Sequence, residues 1–338
     1  FSLLLTTAYS SKDMAEAMVP HIGKDESVLL LRAEEANRVL PDALEEAGIS
    51  HTCISLYHTV TDERKADELT RMALSSIDSG VTNECYGSSE IIVSLTTFGR
   101  RLWRVYLTIE SIMQQSMKAN RIVLWVNESY KEKLPQILYL QMQRGLEVRF
   151  CKDIRSYTKL IPSLLTFPDA TIITVDDDII YDFDMLENLI IPHIADEKTI
   201  FANRVHLMTK GKNGSLNSYM GWKWSVPFTG KSNVMNFLTG VGGVLYPVQS
   251  FDDEVFNERV FMDICKYADD VWFTAMAIKA GTPIQKTFTF NEKGEGYIEN
   301  IFVQKIALSN QNINTSNCRN DVQIKAVFSK YNIYDFLY

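Results

Sequence analysis

Two runs of adjacent carboxylates carry the clearest chemical potential in this sequence, Asp176-Asp177-Asp178 and Asp269-Asp270. The first follows the apolar run Thr171-Ile-Ile-Thr-Val175 and is itself followed by Ile179 and Ile180. Three carboxylates at the end of a buried strand repel one another, because unit charges about 4 Å apart near a protein surface interact by kilocalories. A divalent cation relieves this, and hard oxygen donors suit Mg²⁺ or Mn²⁺. In an extended segment residues i and i+2 face one side, so Asp176 and Asp178 can share a pocket. If the strand has already turned, Asp177 is the direct ligand instead. The competing reading is a solvated acidic turn, since short acidic motifs are common. Asp269 and Asp270 precede an apolar run with Val271, Trp272, Ala275, Met276 and Ile278. There a carboxylate can cap a helix, take a proton as general base, or do both.

Other residues are weaker signals. Trp222 and Trp224, in Gly-Trp-Lys-Trp-Ser, can stack on sugar faces or simply pack in the interior. The five histidines (His21, His51, His58, His193, His206) show no ligand spacing. The five cysteines are scattered without a CxxC pair, which excludes an obvious zinc site and points to a reducing compartment.

The elements that would position these groups alternate between strand and helix. Strands are expected over residues 91–95, 121–126, 146–150 and 171–175, with helices over 102–115 and 133–144. This is the pattern of an open α/β sheet, in which ligands bind beyond the carboxyl ends of the strands. The acidic triplet stands at such an end. Upstream, a helix through about Ile22, a strand at Val28–Leu31, a helix at Glu34–Glu46 ended by Gly48, a strand at Cys53–Tyr57 and a helix at Asp62–Leu74 form a smaller β-α-β-α segment. Residues 75–90 are rich in Ser and Gly and break both hydrophobic periods. The expected organisation is therefore a partial α/β segment over 1–82, a linker over 83–90, and one larger domain over 91–338.

Each part resembles a known family. Ser27 through Gly48 (SVLLLRAEEANRVLPDALEEAG) and Leu56-Tyr-His-Thr-Val60 resemble part of uroporphyrinogen-III synthase, over most of residues 1–81. That family holds a tetrapyrrole between two domains, and Tyr57 falls where it carries a functional tyrosine. Only a fragment is present here, so the resemblance implies a docking piece or a fusion remnant, with lyase activity as an alternative. Residues 90–283 resemble glycosyltransferases of the GT-A fold, close to bacterial family 2 enzymes of capsular and surface polysaccharide synthesis. The matching stretches are Ile91–Arg101, Ser111–Ser116, Asp153–Pro162, Ile172–Ile179, Gly240–Pro247 and Ala268–Trp272. The fold implied is an open mixed sheet with flanking helices.

The resemblance also implies roles. The acidic run looks like the family's DxD motif, whose ion bridges the diphosphate of a nucleotide-diphosphate sugar and stabilises the charge of the leaving group. Thr96, Thr97, Arg100 and Arg101 would hold the nucleotide, Asp153 would read the base, and Lys159 would meet the diphosphate. The segment with Gly240, Gly242 and Gly243 would line the acceptor pocket, where Trp222 and Trp224 could stack on a sugar. Asp270, or else Asp269, would be the catalytic base if the reaction inverts. Some members add a late histidine to the metal, and none follows His206 here. The remaining ligands would then be diphosphate and water.

Composition bounds the partners. Hydrophobic residues make up 46% of the 338, enough for an ordinary globular core. The net charge of -8 argues against nucleic acid as a partner, because such binding needs a cationic surface. No run approaches the ~18–20 apolar residues of a membrane span. Phe1-Ser-Leu-Leu-Leu-Thr-Thr7 lacks the length and basic flank of a signal peptide. The expected partners are a nucleotide-sugar donor and a glycan or lipid-linked acceptor, in the cytoplasm or peripherally at the inner face of the membrane. The aromatic-rich segment 284–338 is expected to pack on the sheet or to cover the acceptor. A GT-A domain that binds a nucleotide sugar without turnover is the remaining alternative.

Overall fold

The computed structural model of the protein describes residues 19–23, 26–33, 39–57, 63–289, 297–299 and 318–337. The chain divides into two compact units, Phe1–Glu63 and Arg64–Tyr338.

In the first unit β1 (Ser27–Ala33), α1 (Val39–Glu46) and β2 (Ser50–Tyr57) form the expected β-α-β arrangement. The strands pair in parallel from Ser27↔Ser50 to Arg32↔Ser55. Gly48 leaves α1 with φ +70°, a left-handed conformation that glycine adopts without strain, and Leu44 and Ile49 are buried. Of the helix expected to end at Ile22, only the tight turn Val19–His21 lies within the described residues. The side chain of Tyr57 lies outside them, as does His58.

The second unit opens with α2 (Glu63–Ser75). This helix buries Leu69 and Ala73 in the larger core, and the Thr70 and Tyr106 hydroxyls hydrogen-bond at 3.1 Å. The division between units therefore falls at the first residue of α2, ahead of the Ser- and Gly-rich stretch that composition marks as a linker. That stretch is fastened to the second unit. Gly80 N–H donates to Arg144 C=O, Thr82 N–H to Ala119 C=O, and the Ser88 backbone N–H to Glu197 Oε1 at 2.7 Å. Small residues let the chain lie close; a Cβ on Gly80 would fall 2.4 Å from Met113.

The remaining strands are β3 (Ile91–Thr96), β4 (Arg121–Asn127), β5 (Leu146–Cys151), β6 (Thr171–Thr174), β7 (Ile179–Tyr181), β8 (Ile200–Ala202), β9 (Val205–Leu207), β10 (Asn236–Leu238), β11 (Val244–Tyr246), β12 (Ile284–Lys286) and β13 (Tyr297–Glu299). The helices are α3 (Val105–Met113), α4 (Gln136–Met142), α5 (Ile161–Thr166), α6 (Met185–Ala195), α7 (Glu258–Ile264), α8 (Asp269–Ala280), α9 (Arg319–Lys330) and α10 (Ile333–Phe336). Seven strands make one sheet in the order β12-β8-β11-β6-β3-β4-β5. Only β11 runs against its neighbours, so the sheet is the open mixed one expected. The chain steps from β3 outward through β4 and β5, then returns to the other side of β3 as β6. Such a reversal opens a crevice at the carboxyl ends of β3 and β6.

The strand period feeds two cores. Ile92, Val123 and Ile172 face one, with α8 and α9, while Ile91, Val93, Ile122, Leu124 and Ile173 face the other, with α2 and α3. A sheet covered on both faces accounts for the near-continuous apolar strands. The helix expected from Leu102 begins later, because a tight turn over Gly99–Trp103 precedes α3. Among the described residues no helix is long and apolar enough to cross a membrane.

Under the sheet, Glu110 on α3 is fully buried and receives both Arg144 guanidinium nitrogens at 2.9 Å and the Gln141 amide at 3.0 Å. Removing one partner of such a pair strands the other charge in the core. Glu110→Ala is expected to lower stability by about 3–5 kcal/mol, measured as a shift of the urea unfolding midpoint with unchanged slope. A shift no larger than that of an exposed alanine substitution would contradict the structural role given to this pair.

Candidate active site

The crevice at the carboxyl ends of β3 and β6 is a cavity of about 800 Å³. β6 leads into Asp176–Asp178, the end of β3 and the turn beyond it deliver Thr96, Thr97, Phe98, Gly99 and Arg101, and the ends of β4 and β5 with their turns deliver Asn127, Ser129, Asp153 and Arg155. The far wall is the start of α8 with Asp269 and Asp270. Parallel pairing of β3 with β6 (Ser94↔Thr174) makes the first two turns neighbours, so Thr97 can donate to Asp177 Oδ2 at 2.6 Å.

Lys159 joins the two acidic groups. Its Nζ lies 2.9 Å from Asp176 Oδ1 and 3.1 Å from Asp269 Oδ2. Burial alone would lower the lysine pKa, but Asp176, Asp269 and Asp270 outweigh it and hold the ammonium well above its ordinary value. The segment carrying it is locked. Ser94 Oγ donates to Lys159 C=O at 2.6 Å, Trp125 Nε1 donates to Ser163 Oγ at 2.7 Å, and Tyr157 stacks on Phe261 and donates to Cys265 C=O at 2.7 Å. Gly240 permits the close approach, since a Cβ there would fall 2.7 Å from Lys159 Nζ and 3.2 Å from Asp270 Oδ1. The contact to Asp269 has ion-pair distance without hydrogen-bond alignment, leaving Asp269 Oδ2 unsatisfied.

Arg101 makes a second clamp, 2.8 Å from Asp177 Oδ1 and 3.0 Å from Asp178 Oδ2. Asp177 thereby has Thr97 on one carboxylate oxygen and Arg101 on the other. Burial nevertheless raises its pKa, against the pull of Arg101. Asp178 is raised to about 7, first by burial and then by Asp176, with Arg101 opposing. Asp270, whose Oδ1 accepts the Gly240 N–H at 3.0 Å, is raised to about 7 by burial and by Asp269, with Lys159 opposing. Around Lys159 and Arg101 the inner part of the cavity gathers five carboxylates, Asp176, Asp177, Asp178, Asp269 and Asp270, more negative charge than these two cations neutralise.

Most of the residues expected at a site converge here, and some do not. Thr96, Thr97, Arg101, Asp153, Lys159, Asp176, Asp177, Asp178, Asp269, Asp270 and Trp224 all line the cavity. Thr96 and Thr97, however, spend their hydroxyl donors inside the protein, on Trp125 C=O (2.9 Å) and on Asp177. Arg100 is exposed and outside the cavity. Trp222 is buried in the core and donates to Asn217 C=O. Gly242 and Gly243 also lie outside the lining. Gly243 (φ +97°) turns the chain against Met185 and Leu189, where a Cβ would come within 3.0–3.3 Å. The cavity-facing glycine of that segment is Gly240.

The sequence marks Trp224 but not His206, Tyr219 and Phe237, which form one wall of the cavity with it. His206 stacks on Trp224 with centroids 5.0 Å apart and planes at 15°. A bridge between Leu207 and Lys223 brings the two together, and no spacing signal marks it in the sequence. Asn127, Ser129 and Arg155 were findable from the rule that ligands lie beyond strand ends.

Among the described residues no group of three or more His, Cys, Asp or Glu side chains is arranged to hold a metal ion by itself. Asp176 and Asp178 offer two carboxylates in a cavity with surplus negative charge. Mg²⁺ and Mn²⁺ are commonly held by one or two carboxylates completed by substrate phosphates and water. The donor set fits an ion of that kind. Asp177, with both oxygens engaged, is the least available of the three.

Residues 3–82 match the family model of uroporphyrinogen-III synthase HemD. No curated protein matches the chain. Among solved structures, an inositol-1-phosphate CTP transferase from T. maritima is similar at 10% identity and TM-score 0.34, over 60% of this chain and 86% of that one. S. aureus TarS 1-349 is similar at 12% identity and TM-score 0.41, over 71% and 72%. A 4-diphosphocytidyl-2C-methyl-D-erythritol synthase from Anaerococcus prevotii is similar at 8% identity and TM-score 0.39, over 64% and 96%.

The His206 imidazole accepts the Ser225 N–H on Nδ1 at 3.0 Å, which leaves its proton on Nε2. Burial, with Arg204 nearby, lowers its pKa to about 3. In the unfolded chain the same ring binds a proton below its ordinary pKa of 6.5. Between these values the unfolded state holds more protons, so stability falls as pH drops from 6.5 toward 3 and is fully present above 6.5. His206→Gln keeps a side-chain acceptor and removes the titration. From pH 7 to pH 5 its stability, by urea unfolding, is expected to fall less than the parent's by about 2 kcal/mol. Equal losses in both proteins would contradict a buried neutral imidazole.

Proposed function

We propose that the second unit is a glycosyltransferase that moves a sugar from a nucleotide-diphosphate donor to a hydroxyl of a glycan or lipid-linked acceptor. The reading includes a place in surface polysaccharide synthesis, in the cytoplasm or at the inner face of the membrane. One observation carries it: the buried Lys159 ammonium ties Asp176, at the end of β6, to Asp269, at the start of α8, so that a charge-holding group and a proton-accepting group face one cavity.

Asp176 and Asp178 would hold Mg²⁺ or Mn²⁺, which when bound neutralises the diphosphate and stabilises it as leaving group. Lys159 places a fixed positive charge beside it, preorganised because its segment is locked to β3, β4 and α7. Asn127, Ser129 and Asp153, at the ends of β4 and β5, line the part of the cavity that would receive the nucleoside. Asp270 is the better base of the acidic pair. Asp269 is committed to Lys159, whereas Asp270 is oriented by the Gly240 N–H and its raised pKa suits proton transfer near neutrality. The acceptor hydroxyl gives its proton to Asp270 as its oxygen bonds to the anomeric carbon. The glycosyl–phosphate bond breaks, and its electron pair leaves with the nucleoside diphosphate.

A thermal-shift series with nucleotide sugars, with and without Mn²⁺, tests this directly, because a ligand of the folded state raises its melting temperature. One nucleotide sugar is expected to stabilise the protein more with Mn²⁺ than without, and Asp178→Asn should lose that increment. With that donor, Asp270→Asn should bind normally but transfer sugar about 10²–10⁴-fold more slowly. Absence of any nucleotide response in the parent protein would remove the basis for this function.

A further inference from the structure

Three cations surround the ring of Tyr267, which lines the cavity close in sequence to the acidic pair; Arg155 and Lys266 line the cavity with it, and Arg319 meets the ring from outside that lining, next to the lining residue Asn320. The Arg155 guanidinium lies 5.1 Å from the centroid of Tyr267, that of Arg319 5.7 Å, and Lys266 Nζ 5.9 Å. They come from distant parts of the chain: the turn after β5, the residue pair before α8, and the first turn of α9. Among the described residues none of the three has a carboxylate at ion-pair distance. This contrasts with Arg101 and Lys159 deeper in the cavity, which are both paired. Like charges gathered on one ring repel, and the ring face offsets only part of that repulsion.

Arg155 is held in place at some expense of backbone comfort. Its φ is +61°, a left-handed value uncommon for a residue other than glycine, and its N–H is fixed by Asp153 Oδ1 at 2.7 Å. Beside the cations the wall has unsatisfied polar atoms. Asn320 is 9% exposed, lines the cavity, and has one amide atom without a hydrogen-bond partner, whichever way the amide is turned. The hydroxyl of Ser156, next to Arg155, is likewise buried, cavity-lining and unpartnered. Buried polar groups are rarely left so unless something outside the chain completes them.

We infer that the acceptor is an anionic polyhydroxyl compound, a sugar or polyol bearing a phosphate or carboxylate. The anion sits among Arg155, Lys266 and Arg319, and hydroxyls meet Asn320 and Ser156. This rests on the glycosyltransferase reading only in calling the ligand an acceptor; the binding itself does not depend on it. The geometry suits the role, because Lys266 and Tyr267 immediately precede Ala268, Asp269 and Asp270. An acceptor anchored there brings a neighbouring hydroxyl toward the base.

The test uses the full chain without donor and three probes of similar size: glucose 6-phosphate, glucuronate and glucose, followed by ligand-observed NMR. At least one charged probe is expected to bind about tenfold more tightly than glucose. That preference should shrink as salt is raised, and the comparison of the two anions separates a phosphate from a carboxylate source. The combined variant Arg155→Gln, Lys266→Gln, Arg319→Gln should bind all three probes alike, with an unchanged unfolding midpoint showing that it is folded. Equal binding of the three probes by the parent protein, or no binding of either anion, overturns the inference. So does a preference that survives the combined variant or high salt. If the anion binds while no nucleotide sugar shifts the melting temperature, the anionic site stands and the glycosyltransferase reading falls.

Discussion

A buried ammonium between two acidic groups is the interaction on which this cavity depends. Bringing Asp176, Asp178, Asp269 and Asp270 into one partly desolvated space without compensation would repel them apart or protonate them. Lys159 prevents the first outcome by standing between the end of β6 and the start of α8. It can do so only because Ser94, Ser163, Trp125 and Tyr157 fasten its segment to the sheet and to the helix beyond. A loosely held lysine would swing to water, where its charge is solvated at no structural cost. The core packing around Tyr157 and the electrostatics of the cavity are thus one arrangement.

Compensation is incomplete, and the residue of charge has direction. Arg101 satisfies Asp177 and touches Asp178, yet Asp178 and Asp270 are both pushed up to about 7. Surplus negative charge therefore accumulates on the inner side, where a cation would be welcome. Surplus positive charge collects at the outer rim around Tyr267. A cavity polarised in this way favours a ligand, or a pair of ligands, whose own charges alternate. Its apolar wall, with His206 kept neutral against Trp224, adds a flat surface suited to a ring.

The first unit and the second are built from the same β-α grammar but differ in extent. Two parallel strands and one described helix in the first leave a small core, with Leu44 and Ile49 its buried apolar side chains among those described. The family match over residues 3–82 runs past the division at Glu63 into α2, whose Leu69 and Ala73 are buried in the second unit. The last part of the matched segment thus packs in the core of the second unit. Apolar stripes are not particular about origin; they bury where a complementary surface lies.

Local sequence determined much of this protein. The runs at 91–95, 121–126, 146–150 and 171–175 became β3 to β6 nearly residue for residue; β3, β4 and β6 are almost unbroken in apolar character because both their faces are covered, whereas β5, at the sheet edge, alternates with Glu147 and Arg149. The same reading located Asp176–Asp178 and Asp269-Asp270, since carboxylates beside such runs are conspicuous. What it could not settle was partnership. That Thr97 serves Asp177 rather than a ligand, that Gly240 and not Gly243 faces the cavity, and that Trp222 is core while Trp224 is wall depend on which strands become neighbours. The short strands β8 to β12, three residues each, carry too little periodicity to be read; β8, β11 and β12 complete one side of the sheet, while β9 and β10 pair as a separate ribbon that brings His206 and Phe237 to the cavity. Charge and hydrophobicity are properties of a residue and can be read in line. Contact is a property of pairs far apart in the chain, and only the folded sheet fixes it.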